Sequence, residues 1–173
     1  MCSISGFTGP ANLEIQSFFI KSLNHRGPDD FGVLSTESFS FSMNRLSIID
    51  VERGKQPMTD DNSKISLIFN GEIYNYIELR EVLKSLGHHF KSDSDTEVIL
   101  NGYKEWGFEI VTKLSGMYSF ALFDSFKDIL FFARDKIGEK PFYYFFDDSG
   151  DIYFSSEFRS LYECGLLFKK LKK

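Results

Sequence analysis

Apolar and polar residues alternate along Ser3-Ile4-Ser5-Gly6-Phe7, the period of a half-buried strand, until Gly9-Pro10 breaks it. From Asn12 the period lengthens. Ile15, Phe18, Phe19 and Leu23 recur at helical spacing and predict a helix ending near Leu23. The cluster Arg26-Gly27-Pro28-Asp29-Asp30 predicts a turn. Phe39, Phe41 and Met43 alternate with serines and predict a strand running toward Arg45. Ile65-Ser66-Leu67-Ile68-Phe69 reads as a short buried strand, with Asn70-Gly71 directly behind it.

Two helices follow. Tyr76, Leu79, Leu83 and Leu86 form one apolar stripe, and Gly87 stands where a helix C-terminal glycine belongs. Ser94-Asp95-Thr96-Glu97 has the spacing of a capping box and opens a second helix, with Ile99, Tyr103 and Trp106 on its buried face. The runs from Met117 to Phe123, Ile129 to Ala133, Phe142 to Phe146 and Ile152 to Phe154 read as strands. Asp147-Asp148-Ser149-Gly150 predicts a hairpin between the last two. Strands on both sides of a helical block give an α+β class with mostly antiparallel sheets.

Composition adds bounds rather than elements. With 173 residues, 42% of them hydrophobic and 17% aromatic, the chain fits one soluble, tightly packed domain. No apolar run approaches a membrane span, and no basic-then-apolar leader opens the chain, so it reads as cytoplasmic. In a reducing compartment Cys2 and Cys164 are expected to stay unpaired. The net charge is −5 although four of the cations crowd into Lys169, Lys170, Lys172 and Lys173. The rest of the chain is therefore more acidic still, which gives no footprint for nucleic acid, and the lysine-rich end reads as solvated.

Several common chemistries are missing from the sequence. There is no His-Glu-x-x-His or paired-cysteine metal spacing, no Gly-x-x-x-x-Gly-Lys-Ser/Thr loop and no Gly-x-Ser-x-Gly elbow. What remains begins at Cys2. Behind an excised Met1 it would carry a thiol and a free α-amine together, a nucleophile beside its own base. Asn70-Gly71 is by default a hairpin turn, yet it leads toward a helix and not a partner strand. A side-chain amide beside a glycine N–H also suits a tetrahedral oxyanion, where each donor is worth about 3 kcal/mol. Arg45 is by default a surface ion-pairing residue, and at a site it would grip a carboxylate with two parallel hydrogen bonds. Asp95 is by default a first-turn acid favoured by the helix dipole, and with Ser94 as cap it is freer to meet an ammonium group.

Taken together and in order, these stretches resemble a class II glutamine amidotransferase domain, and most of all that of glutamine-hydrolysing asparagine synthetases. The match runs through Met1-Cys-Ser-Ile4, Asn24-His-Arg-Gly-Pro-Asp-Asp30, Asn44-Arg-Leu-Ser-Ile-Ile-Asp50, Gln56-Pro-Met58 and Asn70-Gly-Glu-Ile-Tyr-Asn75. It continues through Ser94-Asp-Thr-Glu97, Ser115-Gly-Met-Tyr-Ser-Phe-Ala121, Ala133-Arg-Asp-Lys-Ile-Gly138 and Ser156-Glu157. The resemblance implies an N-terminal nucleophile hydrolase fold, a four-layer αββα sandwich of two antiparallel sheets. It implies residues 2–165 as the amidotransferase domain, followed by a tail at 166–173.

The implied reaction is hydrolysis of L-glutamine to glutamate and ammonia. By the resemblance Cys2 is the nucleophile and Asn70 and Gly71 form the oxyanion hole. Arg45 would hold the α-carboxylate, Asp95 and Glu72 the α-ammonium, and backbone around Leu46, Ile48 and Ile49 would line the pocket. Arg26 is expected near the nucleophile without an assigned step. An α-amine at pKa about 8 and a thiol near 8.5 exchange a proton almost evenly. The ATP-binding Ser-Gly-Gly-x-Asp-Ser string of the family's synthetase domain does not occur here. ATP and magnesium are therefore expected only in a partner domain, met in cis or in trans, and no cofactor or metal in this one. The ammonia acceptor, a homodimeric state and a purely glutamine-binding role without turnover stay open at this point.

Overall fold

A computed structural model of the chain describes residues 2–47, 49–50, 52–62 and 64–165. Ile48 and the lysine-rich tail fall outside the described residues. The chain gathers into two compact units, Met1–Leu46 with Pro141–Lys173, and Ser47–Lys140.

The first unit is built on a five-stranded antiparallel sheet. Its strands are β1 (Ser3–Thr8), β2 (Asp30–Ser35), β3 (Phe39–Arg45), β8 (Tyr143–Phe146) and β9 (Ile152–Ser155), in the order β2-β3-β1-β9-β8. Helix α1 (Leu13–Leu23) is N-capped by Asn12, whose side chain accepts from the N–H groups of Glu14 and Ile15. Helix α5 (Phe158–Glu163) closes the described chain. Phe7 of β1 packs with Phe19 of α1, Tyr153 and Leu161, so Ser3 and Ser5, which alternate with Ile4, share the helix-covered side of the sheet. Asn44 Nδ2 donates to the Ile20 carbonyl at 3.0 Å and pins α1 to that side. The β8–β9 hairpin forms as the Asp147–Gly150 turn predicts. Strand β2 was not expected. It is an edge strand whose Phe31 and Val33 stay 63% and 49% exposed, so its apolar alternation has no buried counterpart to sharpen it.

The second unit carries a four-stranded antiparallel sheet, β4-β5-β6-β7, from Met58–Thr59, Ile65–Ile73, Gly116–Asp124 and Ile129–Arg134. Helices α2 (Tyr76–Ser85) and α3 (Asp95–Trp106) and the short α4 (Ile110–Lys113) complete it. Leu67, Phe69 and Ile73 of β5 pack with Leu83 of α2 and Val98, Ile99 and Tyr103 of α3. Alternation turns Ile68, Asn70 and Glu72 to the opposite side. Helix α2 ends as predicted at Gly87, which has φ +93. His88 N–H reaches the Leu83 carbonyl and Gly87 N–H the Lys84 carbonyl, each at 3.0 Å, the paired bonds of a Schellman end.

Asn70-Gly71 does not form a turn. Strand β5 runs through it to Ile73, paired with β6 from Ile65↔Asp124 to Ile73↔Gly116. The glycine answers to space here. A Cβ on Gly71 would lie 2.2 Å from the Met117 carbonyl oxygen and 2.7 Å from Tyr118 Cα, both backbone atoms of the facing strand. No described helix is long and apolar enough to cross a membrane.

Gly71→Ala must therefore push β5 and β6 apart. The expected cost is about 3 kcal/mol, read from urea unfolding. A loss below ~1 kcal/mol would show that the strands separate freely at this point.

Candidate active site

Cys2 stands immediately before β1, and the strand that follows is clamped close behind it. Ile4 N–H donates to Ser156 Oγ at 2.9 Å, and Ser156 N–H donates to the Ile4 carbonyl at 2.8 Å. The β1–β3 register, Ser3 opposite Asn44, brings the far end of β3 alongside Cys2. The thiol contacts the Leu46 carbonyl at 3.6 Å. Among the described residues neither Cys2 nor Cys164 forms a disulfide.

Arg26 gains a definite place. Its Nε donates to the Cys2 carbonyl at 3.2 Å, and Nη1 donates to Glu157 Oε1 at 3.2 Å. Its Nη2 is buried without a partner among the described residues. His25 Nε2 meets the same Glu157 oxygen at 2.9 Å. Burial opposes ionisation of Glu157, but the hydrogen bonds from His25 and Arg26 outweigh it and hold the carboxyl below its usual range. The Arg-Gly-Pro-Asp stretch lies flat against β3. A Cβ on Gly27 would sit 2.4 Å from the Asn44 carbonyl carbon and oxygen, Pro28 bridges Arg45, and Asp29 N–H donates to the Arg45 carbonyl at 3.1 Å. Arg45 is not the surface residue of the default reading; only 5% of it is exposed.

In the second unit, β5 carries Asn70, Gly71 and Glu72 in succession. Asn70 is 1% exposed, and its Nδ2 is buried with no hydrogen-bond partner among the described residues. Beyond the short β4, the same edge of β5 is served by side chains. Phe69 N–H donates to Gln56 Oε1 at 2.6 Å, and Ile73 N–H donates to Asp95 Oδ2 at 3.0 Å. Tyr118, opposite Gly71, turns its N–H and carbonyl toward Asp135, so Gly71 N–H points to that edge too, between Gln56 and Asp95. Glu72 is exposed.

Asp95 is only 4% exposed, and burial pushes its carboxyl up to about 6. The corner before it is assembled by Arg80. Nη1 donates to the Ser92 carbonyl at 2.6 Å and Nη2 to the Ser94 carbonyl at 3.0 Å, while the guanidinium lies 4.8 Å from the Phe90 ring centroid. Ser94 caps α3 through Thr96 N–H at 3.1 Å. The capping box itself does not close. Glu97 turns back to accept from Lys91 N–H, Ser92 N–H and Ser92 Oγ, because that loop offers it three donors. Asp50, at φ +44, accepts from Asp93 N–H at 2.7 Å and ties the loop holding Ile49 to this corner.

The model of a glutamine amidotransferase domain matches residues 1–173. The chain belongs to this family. It is 46% identical over 150 residues to the glutamine-hydrolyzing asparagine synthetase 1 of Bacillus subtilis, covering 84% of this chain and 24% of that protein. It is 39% identical over 166 residues to asparagine synthetase B of Escherichia coli K12, covering 93% of this chain and 30% of that one. The chain thus spans about a quarter to a third of these relatives. The glutamine phosphoribosylpyrophosphate amidotransferase of B. subtilis, solved with ADP and GMP, superposes with a TM-score of 0.75 at 19% identity, over 92% of this chain and 42% of that one. The fold of this amidotransferase domain is thus the N-terminal nucleophile hydrolase fold expected from the resemblance.

The buried acid has a measurable cost. A carboxyl raised from 3.8 to about 6 favours the folded state fully below pH 3.8, and that advantage fades as pH rises toward 6. Asp95→Asn is therefore expected to be more stable than the parent at pH 8 by up to roughly 3 kcal/mol, and no more stable at pH 3.5. Urea unfolding at the two pH values checks this; equal differences at both would remove burial as the cause.

Proposed function

We propose that this domain hydrolyses L-glutamine to glutamate and ammonia, with Cys2 as nucleophile. The observation that carries the reading is Asn70: a fully buried amide donor with nothing to donate to among the described residues. Leaving such a group unpaired costs about 1–3 kcal/mol, and the cost is recovered when a ligand oxygen accepts from it. A tetrahedral oxyanion is such an acceptor, and Gly71 N–H, aimed at the open edge of β5, is the second donor.

In this mechanism removal of Met1 frees the α-amine of Cys2. The amine takes the thiol proton as sulfur attacks the side-chain amide carbon, and the carbonyl electron pair moves onto oxygen. Asn70 Nδ2 and Gly71 N–H hold that oxyanion. The C–N bond breaks as the α-ammonium returns its proton, and ammonia leaves. Water, deprotonated by the same amine, then cleaves the thioester and regenerates Cys2. Arg45 takes the substrate carboxylate, Asp95 and Glu72 the substrate ammonium, and backbone at Leu46 and Ile49 part of the remaining wall. Arg26 holds the Cys2 carbonyl, so the nucleophile's backbone is fixed while its thiol and amine react.

The resemblance to asparagine synthetases supports an ATP-activated aspartate as the acceptor, in a cytoplasmic reaction. ATP and magnesium would bind in a synthetase domain beyond these residues, since the Ser-Gly-Gly-x-Asp-Ser string is missing here.

Glutaminase assays and intact mass test the reading together. The purified protein should have lost Met1, take one glutamine-like electrophile per chain, and lose both labelling and turnover in Cys2→Ala. Asn70→Ala should lower kcat by about 100- to 1000-fold. The KM for glutamine should rise as pH falls through about 6, where Asp95 loses its charge. Full turnover in Cys2→Ala would overturn the mechanism.

A further inference from the structure

A cleft of about 380 Å³ lies within the second unit, lined by residues that the proposed glutamine site does not use. Its rim carries four cations, Arg53, Lys55, Lys91 and Lys104, against three carboxylates, Asp60, Asp61 and Glu97, in a chain whose net charge is −5. The carboxylates are already committed. Asp60 accepts from Lys64 N–H at 2.7 Å and Ile65 N–H at 2.9 Å. Glu97 accepts from Lys91 N–H, Ser92 N–H and Ser92 Oγ, and Asp61 pairs with Lys91.

The cations are not committed in the same way. Among the described residues the side chains of Arg53, Lys55 and Lys104 make no ion pair, and all three are exposed. Their backbone, in contrast, is fixed. Arg53 N–H is held by Asp50 Oδ1 at 3.0 Å, the buried Gly54 by the Asp50 carbonyl at 2.8 Å, and Lys104 stands on α3. Leu100 and Met58 give the cleft an apolar floor. Three cations outside any ion pair among the described residues, on a fixed backbone around a space the size of a small ligand, favour a compact multiply charged anion.

We propose that this cleft binds a phosphate-bearing small molecule. Lysine and arginine heads converge on a phosphate's several oxygens, whereas a lone carboxylate can occupy only one of them. Nothing in the glutamine chemistry is needed for this, so the two readings stand or fall separately.

The test is titration of the full chain with inorganic pyrophosphate and with ATP, free of divalent cations, followed by amide chemical shifts. Saturable shifts clustered at 53–61, 89–92 and 97–104 are expected. The doubly substituted Arg53→Glu/Lys104→Glu protein should bind at least about tenfold more weakly. Its glutaminase activity, thermal unfolding and spectral dispersion should match the parent, which separates lost binding from lost folding. Absence of saturable binding at millimolar pyrophosphate, equal affinity of the doubly substituted protein, or equal binding of succinate would each overturn the assignment.

Discussion

The antiparallel pairing of β1 with β3 is the constraint from which the setting of Cys2 follows. Six consecutive pairs, from Ser3↔Asn44 to Thr8↔Phe39, fix β1 by backbone geometry alone. Once they form, Leu46 must emerge beside Cys2, and Arg45 must take the last buried place on β3. The loop at 26–29 is then drawn in by two features of β3: the flat approach that only a glycine at 27 allows, and the Arg45 carbonyl waiting for Asp29 N–H. With that loop seated, Arg26 reaches the Cys2 carbonyl. Residues from three separate parts of the chain thus meet because one strand pairing admits a single register.

The second unit uses the edge of β5 in a comparable way. Strand β4 pairs with only Leu67 and Ser66, leaving the rest of that edge without a strand. Gln56 and Asp95 supply side-chain acceptors where a neighbouring strand would have supplied carbonyls. A longer β4 would satisfy the same N–H groups more cheaply and would also cover Gly71 N–H. The short strand and its side-chain substitutes keep one backbone donor turned to an edge that no strand covers. Asn70, one residue earlier and on the other side of the alternation, adds an amide without an acceptor among the described residues.

Much of this was legible in the sequence because it resides in local pattern. Helix α1, the stop at Gly87, the β8–β9 hairpin and the start of α3 at Ser94 all follow from periodicity or capping chemistry. What the pattern could not supply were pairings across long separations. Asn70-Gly71 carries a turn signature, yet its place opposite Ser119 and Tyr118 keeps it extended, since strand pairing overrides the local preference. Arg80 reads as one more charged helix residue, and only the folded loop at 92–94 shows that it gathers two carbonyls. The Glu97 carboxylate chose Ser92 over Ser94 for the same reason. Glu157 was visible as half of a Ser-Glu pair, without any sign that Arg26 and His25 would converge on it.

Two carboxylates, one in each unit, show why the candidate roles divide as they do. Glu157 has its negative charge answered by Arg26 and His25, so its proton is held less tightly than usual. A carboxylate so engaged has little left to offer a substrate ammonium, and its part is to steady the arginine behind Cys2. Asp95 receives backbone N–H groups but no cation among its hydrogen bonds, and burial raises it to about 6. It is still mostly ionised at neutral pH, and it would gain from a cation placed beside it. An α-ammonium entering that corner would supply the missing charge and lower the cost of burying the acid. Substrate binding and relief of a folded-state penalty would then be one event.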